Sequence, residues 1–214
     1  MLDKKYRAAI FDLDGTLANS MRVWDHICRN WLAGKGIAAG DGLERDIVQM
    51  TLTQSAEYVI RNYGIALDPP EIQAQWEAMV LRQYAETLPL KEGAEELVRA
   101  FAEAGMKLAI ATSCFPAACE AFLARHHLRE CFSAVMYTDE ASRDKRFPDL
   151  YLACAARLHT APRDCVVFED FPPALLGVRA AGMGIVAVYD DRAVGQWEEF
   201  GKAADYAIRS FLEL

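Results

Sequence analysis

The run Ala8-Ala9-Ile10-Phe11-Asp12-Leu13-Asp14-Gly15-Thr16-Leu17 constrains this chain more than any other stretch. A short, continuous apolar segment that stops at a glycine reads as a strand buried on both faces, as in a parallel sheet. This one ends on two carboxylates two residues apart. Like charges at the rim of an apolar layer repel each other and lose hydration. A hard divalent cation removes much of that cost, and Mg²⁺ typically takes one or two carboxylates while keeping positions for phosphate oxygens. The competing reading is an Asp-Gly turn with both acids solvated. The rest of the chain decides between them.

A net charge of −8 over 214 residues argues against nucleic acid or an anionic membrane as partner. The six cysteines show no Cys-x-x-Cys spacing and sit mostly in apolar runs. They read as reduced core thiols and argue against a zinc site. The first residues, Met1 to Arg7, lack a signal peptide's apolar segment. No apolar run approaches the roughly 20 residues needed to span a bilayer. A cytoplasmic location is the expectation.

Beyond Leu17 the apolar period becomes helical. Val23, Trp24, Ile27, Cys28 and Trp31 fall on one face over residues 20–32, with Ser20 as candidate cap. Two further helices are expected over 44–50 and 55–63, the second closed by Gly64. Asp68-Pro69-Pro70 opens a longer helix through Trp76, Met79, Val80 and Tyr84. Four helices without a strand imply a helical bundle inserted after the first strand. From Pro89 onward helices (92–104, 116–127, 148–158, 173–181) alternate with strands (107–112, 133–137, 165–168, 185–188). That alternation predicts an α/β fold, a Rossmann-like open parallel sheet covered by helices on both faces.

Ligands bind such sheets beyond the carboxyl ends of the strands. Those ends carry Asp12 and Asp14, then Thr112 and Ser113, then the segment from Asp139 to Lys145, then Glu169 and Asp170. A turn or helix cap accounts for any one of them, but poorly for all four together. Two acids from the first strand and two from the fourth make an oxygen cage for Mg²⁺. A carboxylate there can attack phosphorus and form an aspartyl phosphate. The second acid of the pair can protonate the leaving oxygen and then deprotonate water, with a pKa raised by its acidic neighbours. Thr112 or Ser113 could hydrogen-bond phosphoryl oxygens, and Lys145 could offset their charge. Taken alone, Lys145 among Arg143, Asp144 and Arg146 reads as a solvated loop lysine.

These residues resemble the motifs of the haloacid dehalogenase superfamily of phosphohydrolases. Asp12-Leu13-Asp14-Gly15-Thr16 matches its first motif and Leu108 to Ser113 its second. Lys145-Arg146-Phe147-Pro148-Asp149-Leu150-Tyr151 resembles the third. Val167-Phe168-Glu169-Asp170 with Ala180-Ala181-Gly182-Met183 resembles the fourth. The resemblance implies Asp12 as nucleophile and Asp14 as general acid/base. It implies that Thr112 and Lys145 hold the phosphoryl group. Asp12, Glu169, Asp170 and the backbone carbonyl of Asp14 would bind Mg²⁺. It further implies a catalytic core of residues 1–17 and 89–214, with 18–88 as a helical cap that closes over the site.

Arg146 replaces the usual proline after the motif lysine and reads as solvated. Phe171 stands where a serine commonly follows the Glu-Asp pair, Pro172-Pro173-Ala174 replaces a more polar turn, and Asn19 occupies a frequent Asp position. The leading expectation is a Mg²⁺-dependent phosphatase acting on a small phosphorylated metabolite, for instance a sugar phosphate. A mutase of β-phosphoglucomutase type is the nearest alternative. Its cap histidine corresponds to Trp24 here, with His26 out of register. Asp14 argues against a dehalogenase. A phosphonate-cleaving relative would need a Schiff-base lysine, for which the cap offers only Lys35 in a Gly-Lys-Gly turn. A catalytically silent binding protein on the same fold is the alternative of another class.

Overall fold

Every residue of β1 (Ala8–Phe11) is buried, because its side chains alternate between two apolar layers. Ala9 and Phe11 join one layer, Ala8 and Ile10 the other. That is why its sequence is continuously apolar rather than alternating. The computed structural model describes residues 5–47, 50–141 and 143–214. β1 lies in the middle of a six-stranded sheet whose other strands are β2 (Lys107–Thr112), β3 (Ala134–Tyr137), β4 (Cys165–Glu169), β5 (Gly184–Val188) and β6 (Tyr206–Ile208). The order is β3-β2-β1-β4-β5-β6 and every pairing is parallel. This is the doubly wound order, and its topological switch point lies at β1.

The insertion between β1 and β2 begins with α1 (Met21–Gly34), α2 (Leu43–Ile47), α3 (Leu52–Tyr63) and α4 (Pro69–Glu86). α3 and α4 open on reciprocal capping boxes, Thr51 with Gln54 and Asp68 with Glu71. Gly64 closes α3 at φ 64°, a left-handed position suited to glycine. The helix expected over 44–50 is seen over Leu43–Ile47, and residues 48 and 49 lie outside the described residues. Ser20 sits at the first position before α1, but its side chain makes no capping bond there. It is fully buried instead, and its hydroxyl oxygen has no hydrogen-bond partner. Ser20 thus holds the cap position through its backbone carbonyl, which accepts from Val23 N–H at 2.8 Å, while its side chain turns to the interior and supplies no capping bond.

α5 (Ala94–Glu103) and α6 (Pro116–Arg125) cover one face of the sheet; α7 (Asp149–Arg157) and α8 (Ala174–Ala180) cover the other. α9 (Trp197–Ala203) and the edge strand β6 were not anticipated, since β6 is three residues long with only Ile208 buried. Phe11 stacks on Phe168 at 4.4 Å between ring centroids, with Phe101, Phe132 and Phe211 around them. The chain passes between the sheet layer and α1–α4 on two short antiparallel segments. Asn19 N–H donates to Pro89 O at 3.0 Å and Lys91 N–H to Leu17 O at 2.8 Å. α4 also packs against α6, with Tyr84 edge-on to Phe122 at 6.0 Å. All six cysteines are free thiols, five of them buried. No helix among the described residues is long and apolar enough to cross a membrane.

Candidate active site

The sheet register brings the sequence-predicted residues to one edge. Phe11 is level with Ile110 on β2 and Phe168 on β4, so Asp12 is placed beside Glu169 at the carboxyl ends. The Asp12 N–H extends the ladder by one bond, to Phe168 O at 3.0 Å. Carboxylate oxygens of Asp12, Glu169 and Asp170 converge to within 4.8 Å of one another, and all three residues are buried. Lys145 is also buried, correcting its isolated reading as a solvated loop lysine. Its Nζ donates to Asp12 Oδ1 and, at 2.7 Å, to Glu169 Oε1. In isolation the residue reads as surface because its sequence neighbours are: Arg143 and Arg146 are exposed, while the motif resemblance places Lys145 in the site.

One ammonium against three buried carboxyls leaves the cluster short of positive charge. Burial, then Asp12 and Glu169, push Asp170 well above the ordinary carboxylate range. Burial lifts Glu169 to about 7 despite the Lys145 charge beside it. For Lys145, burial alone would lower the pKa, but attraction to Asp12 and Glu169 outweighs it and the net direction is upward. Three hard oxygen donors with a charge deficit suit a hard divalent cation. Neighbouring side chains fix the donors. Thr16 Oγ1 donates to Asp170 Oδ1 at 2.9 Å, and the buried Tyr151 hydroxyl donates to Glu169 Oε1 at 3.2 Å.

Gly15 makes room for the cluster. It sits at φ +82°, and a Cβ there would lie 2.2 Å from Asp170 Oδ2. Gly15→Ala is expected to displace Asp170 and cost about 1–3 kcal/mol from backbone strain alone. Isothermal calorimetry should show divalent affinity reduced at least about tenfold; wild-type affinity in a folded variant would refute the role given to Gly15.

The charge deficit also sets a pH dependence. A carboxyl whose folded pKa lies above its unfolded value near 4.3 costs stability as pH rises through that interval. For Glu169, moved to about 7, the loss is on the order of 3 kcal/mol. In EDTA, the melting temperature should therefore fall between pH 5 and pH 8, and a saturating hard divalent cation should reverse most of the fall. A flat profile in EDTA would contradict the charge imbalance.

Asp14 is not among the converging carboxylates. Its side chain accepts a hydrogen bond on Oδ1 from the hydroxyl of Tyr84 on α4, and Trp24 Nε1 on α1 donates to that hydroxyl at 2.9 Å. Burial, then the charge of Asp12, raise the Asp14 pKa, while the Tyr84 bond pulls the other way. Thr112 is fully buried, with its Oγ1 accepting from the Cys114 N–H at 3.0 Å, so its own proton remains to be donated. Ser113 is exposed on the same loop. Asp139 is exposed as well, and residue 142 of that segment lies outside the described residues.

Two of the departures from the family pattern, Arg146 and Phe171, lie on the surface, whereas Ala174 is buried. Arg146 is exposed and paired with Asp144 at 2.7 Å, and Phe171 is 47% exposed. His26 faces Glu44 at 3.6 Å, and Lys35 lies over the Trp31 ring at 4.6 Å. Sequence reasoning missed Thr16, Tyr84, Trp24 and Tyr151 as partners of the acids. Thr16 and Tyr151 lie inside the first and third motifs, so a local signal for them exists. Tyr84 and Trp24 carried only the helical apolar period of core residues.

A family model described as haloacid dehalogenase-like hydrolase matches residues 6–182. The chain is 31% identical over 215 residues to the bifunctional riboflavin kinase/FMN phosphatase of Arabidopsis thaliana, covering 100% of this chain and 55% of that protein. It thus spans about half the length of that relative. Fructose-1-phosphate phosphatase YqaB of Escherichia coli (strain K12) is 30% identical over 198 residues, covering 86% of this chain and 97% of that protein. Among solved structures, CbbY from Rhodobacter sphaeroides in complex with phosphate is similar at a TM-score of 0.81 and 25% identity, covering 98% and 96% of the two chains.

Proposed function

The chain belongs to the haloacid dehalogenase-like hydrolase family, and from that membership we propose that it is a Mg²⁺-dependent phosphatase of a small phosphorylated metabolite. The observation that carries this reading is the separation of the two motif aspartates into different environments. Asp12 points into the Lys145–Glu169–Asp170 cluster, whereas Asp14 is turned to Tyr84 and has its pKa raised by burial and by Asp12. A nucleophilic carboxyl beside a second one whose pKa is pushed upward is the arrangement acid-assisted phosphoryl transfer calls for.

In the proposed reaction an Asp12 carboxylate oxygen attacks phosphorus and the bond to the leaving oxygen breaks. Asp14 gives its proton to that oxygen. Asp14 then takes a proton from the water that attacks the phosphorylated Asp12, and inorganic phosphate leaves with both carboxyls restored. Lys145, already against Asp12, sets a positive charge beside the attacking oxygen. Thr112 has a hydroxyl proton to offer a phosphoryl oxygen. Mg²⁺, held by Asp12, Glu169, Asp170 and the backbone carbonyl of Asp14, would supply the remaining charge neutralisation when bound.

We assign residues 18–88 as a cap over this edge, entered and left through the paired segments at 17–19 and 89–91. The name of the Escherichia coli relative supports a sugar phosphate as substrate. The position of His26, turned to Glu44, gives the mutase alternative no support. The test is phosphate release across a panel of sugar, polyol and nucleotide monophosphates, with Mg²⁺ and with EDTA. Mg²⁺-dependent turnover of at least one ester is expected; no turnover of any would sink the proposal.

A further inference from the structure

Tyr84 belongs to none of the motifs, yet it is fully buried and reaches from the helical insertion to donate its hydroxyl proton to Asp14. A phenol carries a single proton, and an indole nitrogen can only donate. Because Trp24 Nε1 donates to the Tyr84 oxygen, the Tyr84 proton is left to go to Asp14 Oδ1. Both rings are held in place, Tyr84 against Phe122 at 6.0 Å and Trp24 against Phe115 at 5.8 Å. A carboxyl oxygen that accepts such a bond is the poorer site for its own proton. The proton of a neutral Asp14 is thereby directed to Oδ2.

We propose that Tyr84, oriented by Trp24, is a positioning residue that decides which oxygen of Asp14 delivers the proton to the leaving group. The proposal rests on the phosphatase reading and deepens it. Both donors come from the insertion while Asp14 belongs to the sheet layer, so the proton is aimed only while α1 and α4 are seated on the core. When the substrate P–O bond breaks and the Asp12–phosphorus bond forms, an alkoxide needs the Asp14 proton. A p-nitrophenolate departs without it.

The test compares kcat/KM, which reports this first transfer, for the most active alkyl ester of the metabolite panel and for p-nitrophenyl phosphate. In Tyr84→Phe the alkyl ester should lose about 10- to 100-fold, and p-nitrophenyl phosphate less than about 3-fold. Mg²⁺ affinity by calorimetry should be unchanged. Trp24→Phe should shift the ratio of the two rates in the same direction by a smaller factor, and it carries the test if Tyr84→Phe does not fold. Equal losses on both esters, or no loss on either, would overturn the proposal, as would faster alkyl turnover. A wild type inactive on both esters would defeat the phosphatase reading itself, and this role with it. An active wild type with an unchanged ratio in the variants defeats only the role of Tyr84.

Discussion

Asp12→Asn is expected to abolish phosphate release, by on the order of 10⁴-fold or more, in a protein that still folds. The amide keeps the shape of the carboxylate but is a poor nucleophile and brings no charge to the cation site. The same change relieves the interior. Asp12, Glu169 and Asp170 share one ammonium, and removing one of the three acids brings the buried cluster closer to neutrality. In EDTA at pH 8 the variant should therefore melt no lower than the wild type. Steady-state phosphate release and differential scanning fluorimetry check both halves. Residual turnover within about tenfold of wild type would remove Asp12 from the nucleophile's role, and a large drop in melting temperature would contradict the charge deficit.

Lys145→Met has the opposite electrostatic consequence. Methionine fills a similar volume, but three buried acids lose their counter-ion. Removing one partner of a buried pair costs about 3–5 kcal/mol. Attraction to Asp12 and Glu169 raises the Lys145 pKa against the lowering effect of burial. Its contribution is therefore fully present at neutral pH and fades only as the ammonium deprotonates in strong alkali. In the variant the stranded carboxyls escape the penalty by taking up protons. Urea denaturation in EDTA should show a deficit near the full amount at pH 8 and a clearly smaller one at pH 5.5. Equal deficits at the two pH values would show that packing, not charge, makes Lys145 important. With Mg²⁺ present, kcat/KM should fall by about 10³-fold, since the charge beside the attacking oxygen is gone.

Much of this was legible because strands and sheets obey local rules. A continuously apolar β1 implied burial on both faces, and alternating helices and strands implied a parallel sheet. A parallel sheet then forces every strand's carboxyl end to one edge. Asp12, Thr112, Glu169 and Asp170 could thus be grouped before any coordinates. Lys145 was harder, since its loop has no period and its neighbours are surface charges; motif resemblance supplied it. Gly177 lies within α8 and is buried. In the fold a Cβ there would lie 2.3 Å from the Lys145 carbonyl oxygen, so its absence lets α8 press against the loop that aims the lysine.

The sequence by itself determined the sheet, the edge on which chemistry-bearing residues gather, and the identity of the acids. Tertiary structure decided what each acid touches. Helical periodicity marks Tyr84 and Trp24 as inward-facing, but says nothing about which group meets a polar tip from another element. The Tyr84–Asp14 pair spans 70 positions and the Trp24–Tyr84 pair 60. Such partners are set by how α1 and α4 seat on the sheet layer, a matter of packing between elements that no local pattern records.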